Sequence, residues 1–229
     1  MPTVTPIDFS ATALTHYSGF YATVIDDLLT PAECDALCTL ADTTGDWAPA
    51  GLATRDGVQT VHSGFRNSDR VLRIDADTAD MLYARLAPLV PELHLLAPDG
   101  PWGGIAGKPA TKPGRTQRPT WRMARINPRL SFLRYGSGHY FKQHCDGLVE
   151  LDDGPTPQKS FVTLHLYLSD GVSGGATRFW TPDKKHFLDV DPKIGRVLVF
   201  QQRMLVHSGE EVTDGVKYTM RSDFMYEQV

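Results

Sequence analysis

The chain has 229 residues, of which 41% are hydrophobic and 22% are charged, which is ordinary for a soluble globular protein. Its formal net charge of -4 gives no electrostatic case for nucleic-acid binding. Three cysteines do not suggest a disulfide framework, and no apolar run is long enough to predict a membrane span. The first residues lack the basic and apolar regions of a signal peptide, so the sequence predicts an intracellular, cytoplasmic protein.

The first predicted elements are a short strand over Phe20–Leu29 and a helix that begins at Thr30. Thr30 offers a capping hydroxyl, Pro31 suits the first helical position, and Glu33 completes the capping-box pattern. Gly45 predicts the end of this helix. In this segment the sequence therefore predicts a scaffold element rather than a functional one.

A second helix is predicted over Asp77–Leu89, where apolar residues recur at helical spacing. Residues 1–120 are expected to form an N-terminal α/β extension, and residues 121–229 a β-rich core, within a single domain spanning 1–229. The fold class predicted is mostly β with flanking helices. The strongest strand patterns lie at Leu130–Tyr135, Phe161–Leu168 and Val197–Phe200.

The least regular stretch is residues 97–120, which is rich in glycine and proline. Long loops in compact domains are usually functional lids or solvated segments, and both interpretations remain open here. Trp102, flanked by glycine, could close over a substrate. Four basic residues would make a lid favour an anionic substrate. They are Lys108, Lys112, Arg115 and Arg118.

Two candidate metal ligands lie two residues apart in the stretch Tyr135–Asp146, which reads YGSGHYFKQHCD. Side chains two apart in a strand point the same way, so His144 and Asp146 could address one ion. His207 is the best candidate for a third ligand. Two histidines and a carboxylate on one triangular face leave three open positions, the arrangement of non-haem Fe(II) oxygenases. Each feature alone is common in proteins without metal, so the interpretation depends on what accompanies them.

Further motifs follow Tyr135 in the order Y-x-S-G, H-x-D, Y-L-S-D, G-G-A-T-x-F, P-x-x-G-x-x-x-x-F, H-S-G and V-x-x-G-x-K-Y. With them, Trp121–Tyr226 resembles the catalytic core of the Fe(II)/2-oxoglutarate-dependent dioxygenases, prolyl 4-hydroxylase-like branch. The resemblance implies a double-stranded β-helix core, also called jelly-roll or cupin-like, with Fe(II) held by His144, Asp146 and His207. It implies 2-oxoglutarate and O2 as co-substrates, ascorbate as a possible reductant, and succinate and CO2 as co-products.

The resemblance also implies a basic residue that grips the distal carboxylate of 2-oxoglutarate, and Lys217 matches it. Arg221 shares the predicted strand face, roughly 13 Å away along the strand, and arginine can bind a carboxylate through two parallel hydrogen bonds. The gap of ten residues after His207 favours Lys217, and Arg221 stays the alternative. Tyr135 and Tyr167 resemble family tyrosines that face the co-substrate.

The substrate is predicted to be a small molecule, such as an amino acid or natural product, oxidised at an unactivated C–H bond. A peptidyl-prolyl substrate is the alternative. The segment Phe65–Arg70 resembles one that lies near the mouth of the site in this family. The candidate substrate contacts are Asn67, Asp69, Arg70, Trp102 and Thr177.

Two readings from other classes remain open from the residues alone. A cupin-like metalloprotein could use the same three ligands for isomerisation or hydrolysis, and it would have no need of a cation at Lys217. A non-catalytic binding module could also keep the fold. The presence of all three candidate ligands argues against the second reading.

Overall fold

A computed structural model describes residues 1–53, 59–107, 118–152 and 154–229. Residues 108–117 of the candidate lid lie outside these ranges. Within the described ranges, no helix is long and apolar enough to cross a membrane.

The helices are α1 (Pro31–Thr44), α2 (Ala76–Leu86) and α3 (Gly103–Ala106). The strands in the first half of the chain are β1 (Thr3–Pro6), β2 (Ala22–Asp26), β3 (Ala48–Pro49), β4 (Leu52–Ala53), β5 (Gln59–Thr60), β6 (Arg66–Asn67), β7 (Asp69–Ile74) and β8 (Leu95–Leu96). Those in the second half are β9 (Trp121–Ile126), β10 (Arg129–Tyr135), β11 (Tyr140–His144), β12 (Glu150–Leu151), β13 (Gln158–Tyr167), β14 (Ser173–Gly174), β15 (Thr177–Trp180), β16 (Phe187–Val190), β17 (Val197–Gln201), β18 (His207–Gly209), β19 (Val212–Asp214) and β20 (Lys217–Gln228).

Two antiparallel sheets form the body of the fold. The larger sheet runs in the order β1-β2-β17-β13-β20-β10-β7-β3, and the smaller one runs β16-β15-β18-β11-β6. From β10 onward the chain passes back and forth between the larger sheet (β10, β13, β17 and β20) and the smaller one (β11, β15, β16 and β18), as expected of a double-stranded β-helix. The predicted fold class, mostly β with flanking helices around such a core, is confirmed.

Alternation along β20 separates the two faces of the larger sheet. Met220 and Phe224 face outward into the apolar layer that holds Leu82 and Leu86 of α2. Lys217 and Arg221 point the other way and line the cavity between the sheets. The larger sheet therefore presents an apolar face to the helices and a charged face to the cavity.

The helix that begins after Thr30 has the predicted capping box. Thr30 Oγ1 accepts from the backbone of Glu33, and the Glu33 carboxylate accepts from the backbone of Thr30. Gly45 follows the last helical residue, as predicted. Thr39 lies on the exposed side of the same helix, and its hydroxyl donates to the carbonyl of Asp35.

An N-terminal segment closes one end of the space between the sheets. Phe9, Leu14 and Tyr17 are fully buried, and the ring of Phe9 lies edge-on to Phe179 at 5.6 Å. The Tyr17 hydroxyl donates to the carbonyl of Trp180 at 2.7 Å. Residues 9–17 thus fill one end of the space between the sheets.

Trp102 does not lie at the cavity. Its ring packs edge-on against Tyr21 at 5.0 Å, and it joins the apolar layer on the helix side of the larger sheet. Ile105 of α3 is buried in the same layer, and Arg118 donates to the carbonyl of Ala106. The described parts of 97–120 contribute nothing to the cavity wall. Trp102 therefore contributes to apolar packing on the helix side of the sheet and does not cover the cavity.

Replacing Thr30 by alanine should lower the free energy of unfolding by about 1 kcal/mol, because the capped backbone amide loses its acceptor. Urea unfolding followed by circular dichroism measures this. Thr39→Ala is the matched control and should be neutral or slightly stabilising, since alanine favours helix. Equal losses in both variants would contradict a capping role.

Candidate active site

The three predicted metal ligands come together. His144 ends β11 and lies directly opposite His207 of β18, while Asp146 follows two residues later. One ligand atom from each residue lies within 4.8 Å of the others. His144 Nε2 is 3.8 Å from Asp146 Oδ1, and His207 Nε2 is 3.8 Å from Asp146 Oδ2. This donor set of two imidazoles and one carboxylate could hold a first-row divalent ion.

Backbone carbonyls orient both imidazoles. Nδ1 of His144 lies 2.7 Å from the carbonyl of Lys142, and Nδ1 of His207 lies 3.1 Å from the carbonyl of Leu205. A carbonyl can only accept, so each Nδ1 carries the proton and each Nε2 keeps its lone pair. Burial lowers the pKa of His144 to about 3 and also lowers the pKa of His207, so both rings are neutral donors.

The carboxylate of Asp146 is held from the opposite side. Thr163 donates to Oδ2 at 2.7 Å, and Nε of Arg221 lies 3.3 Å from the same oxygen. Burial alone would raise the pKa of Asp146, but the Arg221 guanidinium, together with the hydrogen bond from Thr163, outweighs it and lowers the pKa. The acid is therefore ionised and oriented for a cation.

Aromatic rings pack against both histidines. Phe141 stacks on His144 with ring centroids 3.7 Å apart, and Phe200 lies edge-on to His207 at 4.8 Å. These apolar walls restrict the imidazoles to one orientation. They also lower the polarity around a bound ion, which strengthens its electrostatic interactions.

Lys217 is a buried cation without a carboxylate partner among the described residues. It is 1% exposed, and its Nζ donates to the carbonyl of Gly175 at 2.6 Å and lies 4.6 Å from the ring of Tyr135. Gly175 has a positive φ of 71°, which a glycine adopts without strain, and a Cβ there would crowd the Lys217 chain. Burial lowers the pKa of Lys217 to about 8.

Arg221 is engaged differently. Besides Asp146, its guanidinium bonds to Asp223 at 3.0 Å. Burial works to lower its pKa, but the two carboxylates outweigh this and raise it. The charge of Arg221 is thus compensated within the protein, whereas that of Lys217 is available to an anionic ligand.

Two orphaned polar atoms lie in the same region. Nε2 of His165 and Oγ1 of Thr219 are buried without a hydrogen-bond partner among the described residues. His165 lines the cavity opposite Arg221 in the strand pairing, and Thr219 shares the sheet face of its neighbours Lys217 and Arg221. Unpaired buried polar atoms are costly, so a ligand with several oxygens would satisfy them. These residues therefore fit a dicarboxylate such as 2-oxoglutarate.

A cavity of about 390 Å³ contains the three candidate ligands, and Arg70, Tyr135, Thr177, Lys217 and Arg221 line it as well. Tyr167 lies behind this wall and donates to Thr177 at 2.7 Å. Asn67 reaches the carbonyl of Gly138 instead, and Asp69 pairs with Arg134. Since adjacent residues in a strand face opposite ways, Asp69 and Arg70 could not both point into the cavity.

Several cavity residues were not singled out from the sequence. Thr163 shares a strand face with Tyr167, and Arg129 shares one with Tyr135, so the two-residue period could have found both. Phe141 and Arg66 are different, because their positions depend on the pairing of β6 with β11, which the sequence does not reveal.

An oriented His-Asp-His set beside a buried cation, between the sheets of a double-stranded β-helix, defines a metal-dependent oxygenase site. Residues 130–222 match the family model described as the 2OG-Fe(II) oxygenase superfamily. The matched segment includes His144, Asp146 and His207 and identifies a 2OG-Fe(II) oxygenase domain, a class of enzyme that uses Fe(II), 2-oxoglutarate and O2. No curated protein matches it in sequence.

Solved structures share the fold at low sequence identity. A prolyl-4-hydroxylase from Pseudomonas putida is 19% identical with a TM-score of 0.56, over 95% of each chain. A viral collagen prolyl hydroxylase from Paramecium Bursaria Chlorella virus-1 is 22% identical with a TM-score of 0.51, over 90% of this chain and 96% of the other. A Trichoplax adhaerens prolyl hydroxylase, solved with a hypoxia inducible factor peptide, is 15% identical with a TM-score of 0.55, over 89% and 82%.

Replacing His207 by alanine should weaken Mn(II) binding by more than about 100-fold, because losing a ligand costs more than losing a group that only orients one. Mn(II) is a redox-inactive stand-in for Fe(II), and the electron paramagnetic resonance signal of the free ion measures its binding. His186→Ala, at an exposed loop position, is the control and should bind normally. Normal binding by the His207 variant would remove it from the metal site.

Proposed function

We propose that this enzyme hydroxylates an unactivated C–H bond of a prolyl residue presented within a peptide. The observation that carries the proposal is the placement of the His144–Asp146–His207 set beside Lys217, in a cavity that adjoins two surface depressions. The fold shared with prolyl hydroxylases supports it. The preference for a free small molecule, expected from the sequence, gives way to this alternative.

His144, Asp146 and His207 would hold the metal, and Lys217 would bind the distal carboxylate of 2-oxoglutarate. When bound, Fe(II), 2-oxoglutarate and O2 supply an oxidation that inserts one oxygen atom into the substrate C–H bond and yields succinate and CO2. The protein supplies orientation and exclusion of water. Thr163 and Arg221 fix the Asp146 carboxylate, and Phe141 and Phe200 keep the surroundings apolar.

The size of the cavity favours a substrate that extends beyond it. About 390 Å³ must accommodate 2-oxoglutarate together with the reacting part of the substrate. A depression of about 550 Å³ adjoins it through Leu52 and Phe65, and another of about 290 Å³ adjoins it through Phe141 and Gly209. An extended peptide could place one ring in the cavity and its flanking residues in these depressions.

The direct test is a comparison of a proline-containing peptide library with free L-proline in O2-dependent turnover. We expect a peptide to gain the mass of one oxygen atom and to raise succinate formation above the rate without substrate, and free proline to do neither. His144→Ala should abolish succinate formation, while His186→Ala should retain it. Oxidation of free proline but of no peptide would overturn the substrate assignment.

The role of Lys217 predicts a pH dependence. Its pKa is lowered to about 8, so its charge is present below that pH and is lost above it. The affinity of the Mn(II)-loaded protein for 2-oxoglutarate should therefore fall about tenfold between pH 7 and pH 9. Isothermal titration calorimetry at the two pH values measures this.

Lys217→Arg is the matched control, because a guanidinium keeps its charge throughout this pH range. Its affinity for 2-oxoglutarate should be nearly independent of pH, whatever its absolute value. A wild-type affinity that is equally flat would show that Lys217 is not the anchor.

A further inference from the structure

The cavity is far more basic than the rest of the protein. The chain carries a formal net charge of -4, yet among the described residues the cavity wall has five cationic side chains and one carboxylate. Asp146 is that carboxylate, and Arg221 and Lys217 belong to the site already described. The remaining three form a cluster that we call the arginine triad, made of Arg66, Arg70 and Arg129.

Within the described part of the chain, no carboxylate lies at salt-bridge distance from the arginine triad, although the charge of Arg129 acts on Asp223 from farther away. Elsewhere, an arginine is commonly paired with a carboxylate, as in the pairs Arg73–Asp75, Arg85–Glu33, Arg122–Glu227, Arg134–Asp69, Arg178–Asp189 and Arg196–Asp26. Arg66 bonds instead to the hydroxyl of Ser68, and Arg70 to the carbonyl of Gly51, each at 3.2 Å. These neutral contacts orient the guanidinium groups and leave their charges uncompensated.

Packing holds the arginine triad close to the metal ligands. Arg66 is 9% exposed, and its guanidinium lies 4.5 Å from the ring of Phe141, whose ring in turn stacks on His144. Arg70 lies opposite Leu133 on β10, on the cavity face that also holds Arg129 and Tyr135. An anion bound here would therefore lie at the mouth of the site, next to the reacting position.

Bringing three guanidinium groups together without an anion is unfavourable. Burial, followed by the charges of Arg66 and Arg129, lowers the pKa of Arg70 to about 10. The repulsion is maintained by the strand pairing, and an anionic ligand would relieve it. Guanidinium groups suit carboxylates because two parallel N–H groups match two oxygens.

We propose that the arginine triad binds carboxylate side chains that flank the target residue, so that the substrate is an acidic peptide. This inference rests on the peptide substrate proposed above and specifies its sequence chemistry. Arg66 and Arg70 would bind carboxylates nearest the reacting residue, and the exposed Arg129 one farther out. Neutral and basic peptides would leave the buried guanidinium groups uncompensated and bind weakly.

The test measures binding without turnover, so it does not depend on whether hydroxylation occurs. Fluorescein-labelled peptides of sequence Asp-Glu-Pro-Glu-Asp and Asn-Gln-Pro-Gln-Asn are titrated with protein loaded with Mn(II) and 2-oxoglutarate, and anisotropy is followed. We expect the acidic peptide to bind at least about tenfold more tightly, and to weaken steeply as salt is raised. Equal affinities, or no measurable binding of either peptide, would overturn the proposal.

Variants assign the effect to the arginine triad. Arg70→Gln should weaken the acidic peptide about tenfold and leave the neutral peptide unchanged. Arg129→Gln, at an exposed position where folding is not at risk, should weaken it by a smaller factor in the same direction. Arg73→Gln is the matched control, since Arg73 lies on the same strand as Arg70 but points to the opposite face. A loss in the Arg73 variant as large as in the Arg70 variant would refute the assignment.

Failure of the two proposals can be told apart. If acidic peptides bind through the arginine triad but gain no oxygen, the hydroxylation proposal fails and the inferred anion site stands. If neutral proline peptides are hydroxylated and acidic ones bind no better, the enzyme assignment stands and the anion site is wrong.

Discussion

The pairing of β20 with β10, β13 and β9 is the constraint on which the rest of the structure depends. Its register sends Lys217 and Arg221 to the cavity and Met220 and Phe224 to the helices. A slip of one residue would exchange these faces, moving two cations into an apolar layer and leaving bulky apolar groups in the site. The cost of that exchange makes the register strongly specified, and the chemistry of the site follows from it.

Within the cavity, compensation of charge distinguishes the roles of similar residues. Arg221 is neutralised by Asp146 and Asp223, so its contribution to the candidate metal site is to orient the Asp146 carboxylate. Lys217 carries the same charge on the same strand, but among the described residues it has no carboxylate at salt-bridge distance, and its Nζ contacts the carbonyl of Gly175 and the ring of Tyr135. The number of carboxylates beside each cation therefore distinguishes a structural ion pair, as at Arg221, from a charge that can bind an anionic ligand, as at Lys217.

The sequence predicted what depends on local pattern. The capping box at Thr30, the H-x-D pair at His144 and Asp146, and the alternation that groups Lys217 with Arg221 are all short-range features. The sequence failed where long-range pairing decides. Trp102 was predicted to contact substrate, but its ring packs against Tyr21 on the other face of the larger sheet. Arg66 was not predicted, because it reaches the site through the pairing of β6 with β11. Asp69 and Arg70 were predicted together as substrate contacts, although the side chains of adjacent residues in a strand point to opposite faces of the sheet.

The buried N-terminal segment has a consequence for the candidate metal ligands. Phe9, Leu14 and Tyr17 form one cluster with Phe179 and Phe200, whose rings lie edge-on to His207. Residues near the beginning of the chain therefore support the aromatic wall that orients an imidazole supplied from near its end. Displacing that segment would loosen His207 although no residue of the segment touches the ligand itself.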